Sequence, residues 1–310
     1  MAQTRGLRQR IKSVHSIRQI TKTMEMVATS RLKRAQDRVV AARPYATALA
    51  DVIADLYSPE LAERFALLRQ RAPGAIKRVA LIVITSNRGL CGAFNANLIR
   101  EGRRRVQELE AGGAAVELHL VGKKGIGYFR FAGRAAAVQR TDIGDKPTTG
   151  HSVELVSALM LAFEAGTLDA VEVVFAKFNS AMSTPATVLR ILPVEPPAGR
   201  RAGGQAGAEP VTGSPAHPAT RPPVPFYILK PSAEAILERL LPLYVQNQMF
   251  RALVETAAAE HGARRTAMKN ATDNAGDILD ILRRTYNRAR QAQITQEIAE
   301  IVGGAEAQSG

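Results

Sequence analysis

Residues 79–95, VALIVITSNRGLCGAFN, carry the chain's best claim to chemistry. An apolar run enters a glycine-containing turn and a polar segment follows, which is how a nucleotide-binding strand, loop and helix begin. The details do not complete a phosphate site. A P-loop needs G-x-x-x-x-G-K-[ST], so that amides, a lysine and a hydroxyl surround the phosphates and Mg²⁺. Gly89 and Gly92 are followed by no such lysine, and the pair gives only G-x-x-G where a dinucleotide fingerprint needs G-x-G-x-x-G. The later VGKKGIGYFR offers Gly125 and Gly127 but puts Arg130 where the third glycine belongs. The preferred reading is a tight strand-to-helix turn, with a phosphate loop as the weaker one. Cys91 is the sole cysteine, so no intrachain disulfide forms. With no histidine near it in sequence, it reads as a small buried side chain rather than a nucleophile. The histidines, His15, His119, His151, His217 and His261, are scattered. No Cys/His spacing suits a metal and no G-x-S-x-G elbow occurs. No catalytic, cofactor-binding or metal-ligating residue is assigned.

The second chemical feature is charge. The formal net charge is +14; residues 1–43 hold eleven Arg or Lys against Glu25 and Asp37, and only five of the excess falls elsewhere. Such a patch suits nucleic acid, an anionic lipid surface or an acidic protein, or is simply a solvated helix face. Nucleic acid is disfavoured because the segment has no aromatic before Tyr45 on which bases could stack. Residues 1–24 are Arg-rich and lack acids, which also suits a mitochondrial transit peptide. The longest apolar run, Val79–Ile84, is too short to span a bilayer, so no direct membrane insertion is expected.

The elements that position these residues differ along the chain. Leu7, Ile11, Val14, Ile17, Ile20, Met24 and Val27 recur every three or four residues, predicting a long helix over 4–57. Their stripe drifts around the helix, so more than one face must be covered, and Pro44 predicts a kink or break. Runs at 77–85, 116–121, 171–178 and 187–192 predict strands, with helices at 94–110 and 150–165 between them. That alternation implies a small, largely parallel, Rossmann-like α/β domain. Residues 195–225 are Pro/Gly-rich and poor in apolar side chains, and are expected to be mobile and exposed.

From 232 to 302 a 3-4 spacing runs through Ala233, Ile236, Leu240, Leu243, Asn247, Phe250, Val254, Ala257, His261, Arg264, Met268, Ala271, Ala275, Ile278, Leu282, Thr285, Ala289, Ala292, Gln296 and Ala299. A sustained heptad implies a left-handed supercoil about 105 Å long. A helix that long needs a partner, and its natural partner is the other terminal helix. Pro242 is expected to bend its first turns, and Gly303 and Gly304 to stop it. The expected fold class is α/β plus a long antiparallel α-helical coiled coil formed by the two termini. The expected division is an N-terminal coiled-coil helix (1–58), a connector (59–75), the α/β domain (76–194), a flexible linker or insertion (195–230), a C-terminal coiled-coil helix (231–303) and a tail (304–310). The polar end NRARQAQITQEIAEIV lies where the N-terminal helix runs out, which favours a rod that acts on a partner protein.

Four stretches, RIKSVHSIRQITKTMEMVATSRLKRAQ (10–36), SNRGLCGAFN (86–95), AMKNATDNA (267–275) and YNRARQAQITQEIAEIVGGA (286–305), closely resemble the gamma subunits of F-type ATP synthases. They occur in family order at both ends and the middle, and the match begins too early for a removed transit peptide. The resemblance implies the central rotor shaft of a proton-translocating ATP synthase, with no catalytic site of its own. The implied partners are a ring of alternating alpha and beta subunits, the epsilon subunit and the membrane c-ring. ATP, ADP and Mg²⁺ would be bound by the beta subunits and no cofactor by this chain. The implied location is the cytoplasmic face of the bacterial inner membrane, held peripherally. By position, the family places Lys22, Met24 and Arg31 near acidic lever segments of the beta subunits, with Met24 equally suited to coiled-coil packing. It places Arg264, Arg290, Gln291, Thr295, Glu297 and Glu300 in polar contacts within the rotor or with the ring. An acidic protein partner then accounts for the basic N-terminal segment better than nucleic acid does.

Residues 195–225 are longer than the family's usual passage and hold no cysteine, which excludes a thiol switch there. A passive role is preferred to a contact with neighbouring subunits. The alternative to a rotor shaft is a free-standing nucleotide-binding α/β protein with a coiled-coil arm, motivated by the loop at 86–95.

Overall fold

A computed structural model describes residues 2–70, 76–195 and 232–309. Most of the Pro/Gly-rich segment therefore lies outside the described residues. Two long helices, α1 (Ala2–Leu56) and α6 (Ala233–Ser309), run antiparallel and form the rod. Between them in sequence come α2 (Pro59–Arg64), a 3-10 turn (Ala66–Leu68), β1 (Arg78–Ile84), α3 (Phe94–Ala111), β2 (Ala115–Val121), α4 (Lys123–Phe131), β3 (Val138–Arg140), α5 (Thr149–Glu164), β4 (Ala170–Ala176) and β5 (Ala186–Leu192).

The sheet has the order β3-β2-β1-β4-β5, parallel except for the antiparallel β5 edge. β1 is apolar without alternation because both of its faces are covered. Ala80, Ile82 and Ile84 pack with α5, α6 and the end of α1, while Leu81 and Val83 pack with α3, α4 and the middle of α1. The short elements α4 and β3 were not expected; three residues of strand and nine of helix carry too little periodicity to be read. The connector does more than connect. Ser58 caps α2 by accepting from Leu61 N (3.2 Å), and Leu67 and Leu68 enter the core beside α5.

Both prolines sit inside continuous helices, so of the kink or break expected at Pro44 there is no break. An interior proline costs about 3 kcal/mol. Buried Leu49 and Ile53 beyond Pro44, and Leu237, Leu241 and Val245 around Pro242, hold each helix against its neighbours at about 1.5–3 kcal/mol per side chain. Gly303 and Gly304 likewise do not stop α6, which runs to Ser309. Glycine costs a helix only about 1 kcal/mol, and neither residue adopts a positive φ.

The seam between the long helices is a heptad, but not wholly the one the apolar pattern suggested. On α1 the covered heptad positions are 4, 7, 11, 14, 21, 25, 28, 32, 35, 39, 42, 46, 49 and 53, with 31, 36, 38, 50, 52 and 54–56 covered as well. On α6 beyond the side domain they are 268, 272, 275, 279, 282, 286, 289 and 293, with 267, 271 and 276 partly covered beside them. Half of the expected α6 register (268, 275, 282, 289) is right; the other half shifts one residue later, to Leu279, Tyr286 and Gln293 rather than Ile278, Thr285 and Ala292, while Ala271 stays partly covered beside buried Thr272. Thr272 donates to Thr21 Oγ1 (2.8 Å), Arg8 lies over the Tyr286 ring, and Thr4 bonds Gln293. On α1 the stripe and seam agree through Val14 and then part. Ile20, Met24 and Val27 lie one residue, about 100° around the helix, from covered Thr21, Glu25 and Ala28, and these three and Ile17 are exposed.

Candidate functional site

The loop that suggested chemistry is a corner, and its polar groups are spent on one another. Ser86 N donates to Asn95 Oδ1 (3.0 Å), and Asn95 Nδ2 reaches Cys91 Sγ (3.1 Å). Asn87 Nδ2 donates to the carbonyls of Thr141 (2.9 Å) and Ile143 (3.0 Å), fixing the loop that follows β3. The first three amides of α4, the donors a phosphate would use, are occupied: Lys123 N by Asn87 Oδ1, Lys124 N by Ser86 O and Gly125 N by Thr85 Oγ1. Gly122, at φ 96°, lets this corner close, since a Cβ there would fall 2.1 Å from Thr85 O. Burial raises the Cys91 thiol pKa, which disfavours the nucleophilic thiolate.

In an open parallel sheet, ligands sit beyond the carboxyl ends of the strands where the strand order reverses. Here that point lies between β1 and β4, and α6 fills it. Thr256 Oγ1 accepts from Ala176 N (3.3 Å), and Glu255 Oε2 accepts from Phe178 N (3.1 Å). A cleft of about 590 Å³ remains beside it, lined by Thr85, Ser86, Arg88, Lys123, Asp145 and Glu260 among others.

Around that cleft a charged cluster joins the side domain to both rod helices. Asp145 takes an ion pair from Arg31, its carbonyl accepts from Arg38 (3.0 Å), and His261 Nε2 stands 3.7 Å from its carboxylate. Arg264 donates to Glu260 (2.6 Å), to Gly89 O (3.3 Å) and toward His261 Nδ1 (3.4 Å). Burial pushes the His261 pKa down to about 4, with Arg264, Arg31 and Arg38 adding to the effect and Asp145 opposing it. Burial raises the Glu260 pKa although Arg264 is bound to it.

The residues the family resemblance singled out fall in two places. Met24, Arg31 and Arg264 line one groove of about 260 Å³ with Val27, Ala28 and Leu90. Met24 is 37% exposed there, whereas Arg31 and Arg264 are engaged within the chain. Lys22 lies outside that groove and pairs with Glu25 on its own helix. Arg290, Gln291, Thr295, Glu297 and Glu300 lie on the end of α6, exposed. Gln291 O accepts from Thr295 Oγ1, Glu297 accepts from Gln293, and Glu300 accepts from Gln296. Among the described residues the last seam bond is Thr4–Gln293, and residues 294–309 continue α6 for about 24 Å past it. Ile294, Ile298 and Ile301, the last 71% exposed, line one face of that bare end. The residues missed from sequence are these isoleucines, hidden by the mistaken half-register, and Asp145, whose partners lie over a hundred positions away. Among the described residues no helix is long and apolar enough to cross a membrane, and no His/Cys/Asp/Glu group has metal-site geometry.

Comparison with known proteins places this architecture. The family model described as ATP synthase matches residues 3–308. The ATP synthase gamma chain of Gemmatimonas aurantiaca is 57% identical over all of both chains, and that of Heliobacterium modesticaldum 39% identical over 98% of each. Among solved structures, the rotor of the Euglena gracilis mitochondrial ATP synthase shares the fold with TM-score 0.64, 19% identity and coverage of 94% of this chain and 99% of that one. The central stalk of the Tetrahymena thermophila mitochondrial enzyme gives TM-score 0.53 at 21% identity, covering 81% and 99%. This chain belongs to the ATP synthase family, among its gamma chains.

Proposed function

We propose how this chain, the central shaft of an ATP synthase and not a catalyst by itself, drives chemistry in its neighbours. The bare end of α6 and the exposed stripe of α1 form the surface that turns inside a ring of alternating alpha and beta subunits. The observation that carries this is the parting of stripe and seam. Ile17, Ile20, Met24 and Val27 on α1, and Ile294, Ile298 and Ile301 on α6, keep apolar spacing yet remain 37–71% exposed. A contiguous apolar face left bare on a long helix marks a protein contact. Two helices lack threefold symmetry, so inside a threefold ring the rod meets each beta subunit differently. Differential contact biases each site toward a different conformation and nucleotide affinity, and rotation carries every site through each state.

In this reading Lys22 and Met24 meet acidic lever segments of the beta subunits, and Arg290, Gln291, Thr295, Glu297 and Glu300 make polar contacts with the ring. Arg31 and Arg264, held by Asp145 and Glu260, work within the shaft. The side domain and the lower rod rest on the membrane c-ring with the epsilon subunit alongside, and proton flow turns the assembly. ATP, ADP and Mg²⁺ are bound by the beta subunits. The shaft is peripheral, on the cytoplasmic face of the bacterial inner membrane.

The test is assembly. The wild-type chain should co-purify with three alpha and three beta subunits. Ile298→Ser with Ile301→Ser should keep the helical content of the isolated chain yet weaken that association. Unchanged association would remove the bare face as the contact. Micromolar binding of ATP and Mg²⁺ by the isolated chain in calorimetry would instead support a nucleotide-binding protein with a coiled-coil arm.

A further inference from the structure

We infer that the stretch Glu255–Arg264 of α6 is the joint through which torque passes between side domain and rod, and that Glu255 and Thr256 are the residues that fix its angle. The inference rests on the rotary reading above. From Ala252 to Gly262 every residue of α6 is buried, on all faces of the helix, because the sheet packs on one side and α1 on another. Apolar packing resists separation but is non-directional, so by itself it resists twisting of a helix about its own axis poorly. Hydrogen bonds are directional. The sheet turns two backbone amides toward this helix, those of Ala176 and Phe178 at the carboxyl end of β4. Thr256 Oγ1 and Glu255 Oε2 receive them at 3.3 and 3.1 Å. Arg251 Nε holds the other oxygen of Glu255 at 2.7 Å, so the carboxylate cannot swing.

A second tie lies two turns further along. Asp145 joins the loop after β3 to Arg31 and Arg38 of α1 and stands against His261, while Arg264 holds Gly89 O. Glu255 is only 1% exposed. Burying a carboxylate carries a large desolvation penalty, and an apolar side chain of similar volume often stabilises a core as well. What the carboxylate adds is a fixed angle between sheet and helix.

The experiment uses the assembled synthase in lipid vesicles with Thr256→Val, Glu255→Leu and Glu255→Gln. Amide exchange at Ala176 and Phe178 is read alongside the ratio of ATP-driven ion uptake to ATP hydrolysis. Thr256→Val should speed exchange at Ala176, and Glu255→Leu at Phe178, by about tenfold each, as loss of a buried hydrogen bond allows. The uptake-to-hydrolysis ratio should fall while hydrolysis persists. Glu255→Gln keeps an acceptor for Phe178 N and should restore both readouts. If Glu255→Leu fails to assemble, the isosteric Thr256→Val carries the test. The joint is refuted if exchange quickens while the ratio stays at the wild-type value. It is also refuted if Glu255→Gln fails as badly as Glu255→Leu, or if protection is lost across the whole sheet. A wild-type complex that hydrolyses ATP with no ion uptake would sink the rotary reading, and the joint with it.

Discussion

Adjacent residues Ile278 and Leu279 offer a sharp test of the rod. The apolar pattern places Ile278 in the seam; the structure leaves it 48% exposed and buries Leu279 completely. Truncating a fully buried leucine removes its transfer free energy and leaves a cavity, at about 2–5 kcal/mol. The seam here is a single line of contacts between two helices, open to solvent on both sides, so partial collapse should hold Leu279→Ala to about 3 kcal/mol. Ile278→Ala removes a half-exposed side chain and should cost under about 1 kcal/mol, most of it offset by alanine's better helix propensity. The upper rod can open without the side domain unfolding, so global melting is the wrong readout. Amide exchange of residues 268–290 in the isolated chain reports the local equilibrium. Leu279→Ala should speed it by about 150-fold, the equivalent of 3 kcal/mol, and Ile278→Ala by less than about fivefold. If Ile278→Ala proves as costly as Leu279→Ala, the seam has the sequence-predicted register and the exposed face proposed to meet the ring does not exist.

Other outcomes follow from the same geometry. Thr272→Val should cost about 1 kcal/mol because Thr21 Oγ1 loses the bond it accepts and keeps only the one it donates to Arg18 O, and the two substitutions should be less than additive, a coupling that a double-mutant cycle measures. His261 stays neutral in the folded chain down to about pH 4, while an unfolded histidine gains its proton near 6.5. Its contribution is therefore full above about pH 6.5 and drains as pH falls toward 4, by at most about 3 kcal/mol. Glu260, with its pKa raised, opposes this by favouring the folded state at low pH. His261→Gln should flatten the fall of the urea midpoint between pH 6.5 and 4; an unaltered slope would mean the imidazole does not govern it. Glu172 is buried, yet the ion pairs from Arg105 and Arg190 overcome that burial and lower its pKa. Glu172→Leu, which strands both arginines, should loosen α3 from the sheet, visible as faster amide exchange in α3, whereas Glu172→Gln should do so less.

The sequence alone determined the longer local elements and their class. Continuous apolar runs such as 79–84 can only be strands covered on both faces, and two terminal segments with long helical periodicity and few glycines can only be stable when paired. Tertiary structure decided the rest, because those decisions lie in contacts between distant positions. A helix presents neighbouring stripes about 100° apart. Ile278 and Leu279 are equally apolar, so only the facing α1 surface selects one for burial and leaves the other for a partner. The polar residues of SNRGLCGAFN would suit a ligand or a corner equally well. The outcome is set by Asn87 reaching Thr141, by Arg264 reaching Gly89 across 175 positions, and by α6 arriving from the far end of the chain to occupy the crevice where a ligand would sit.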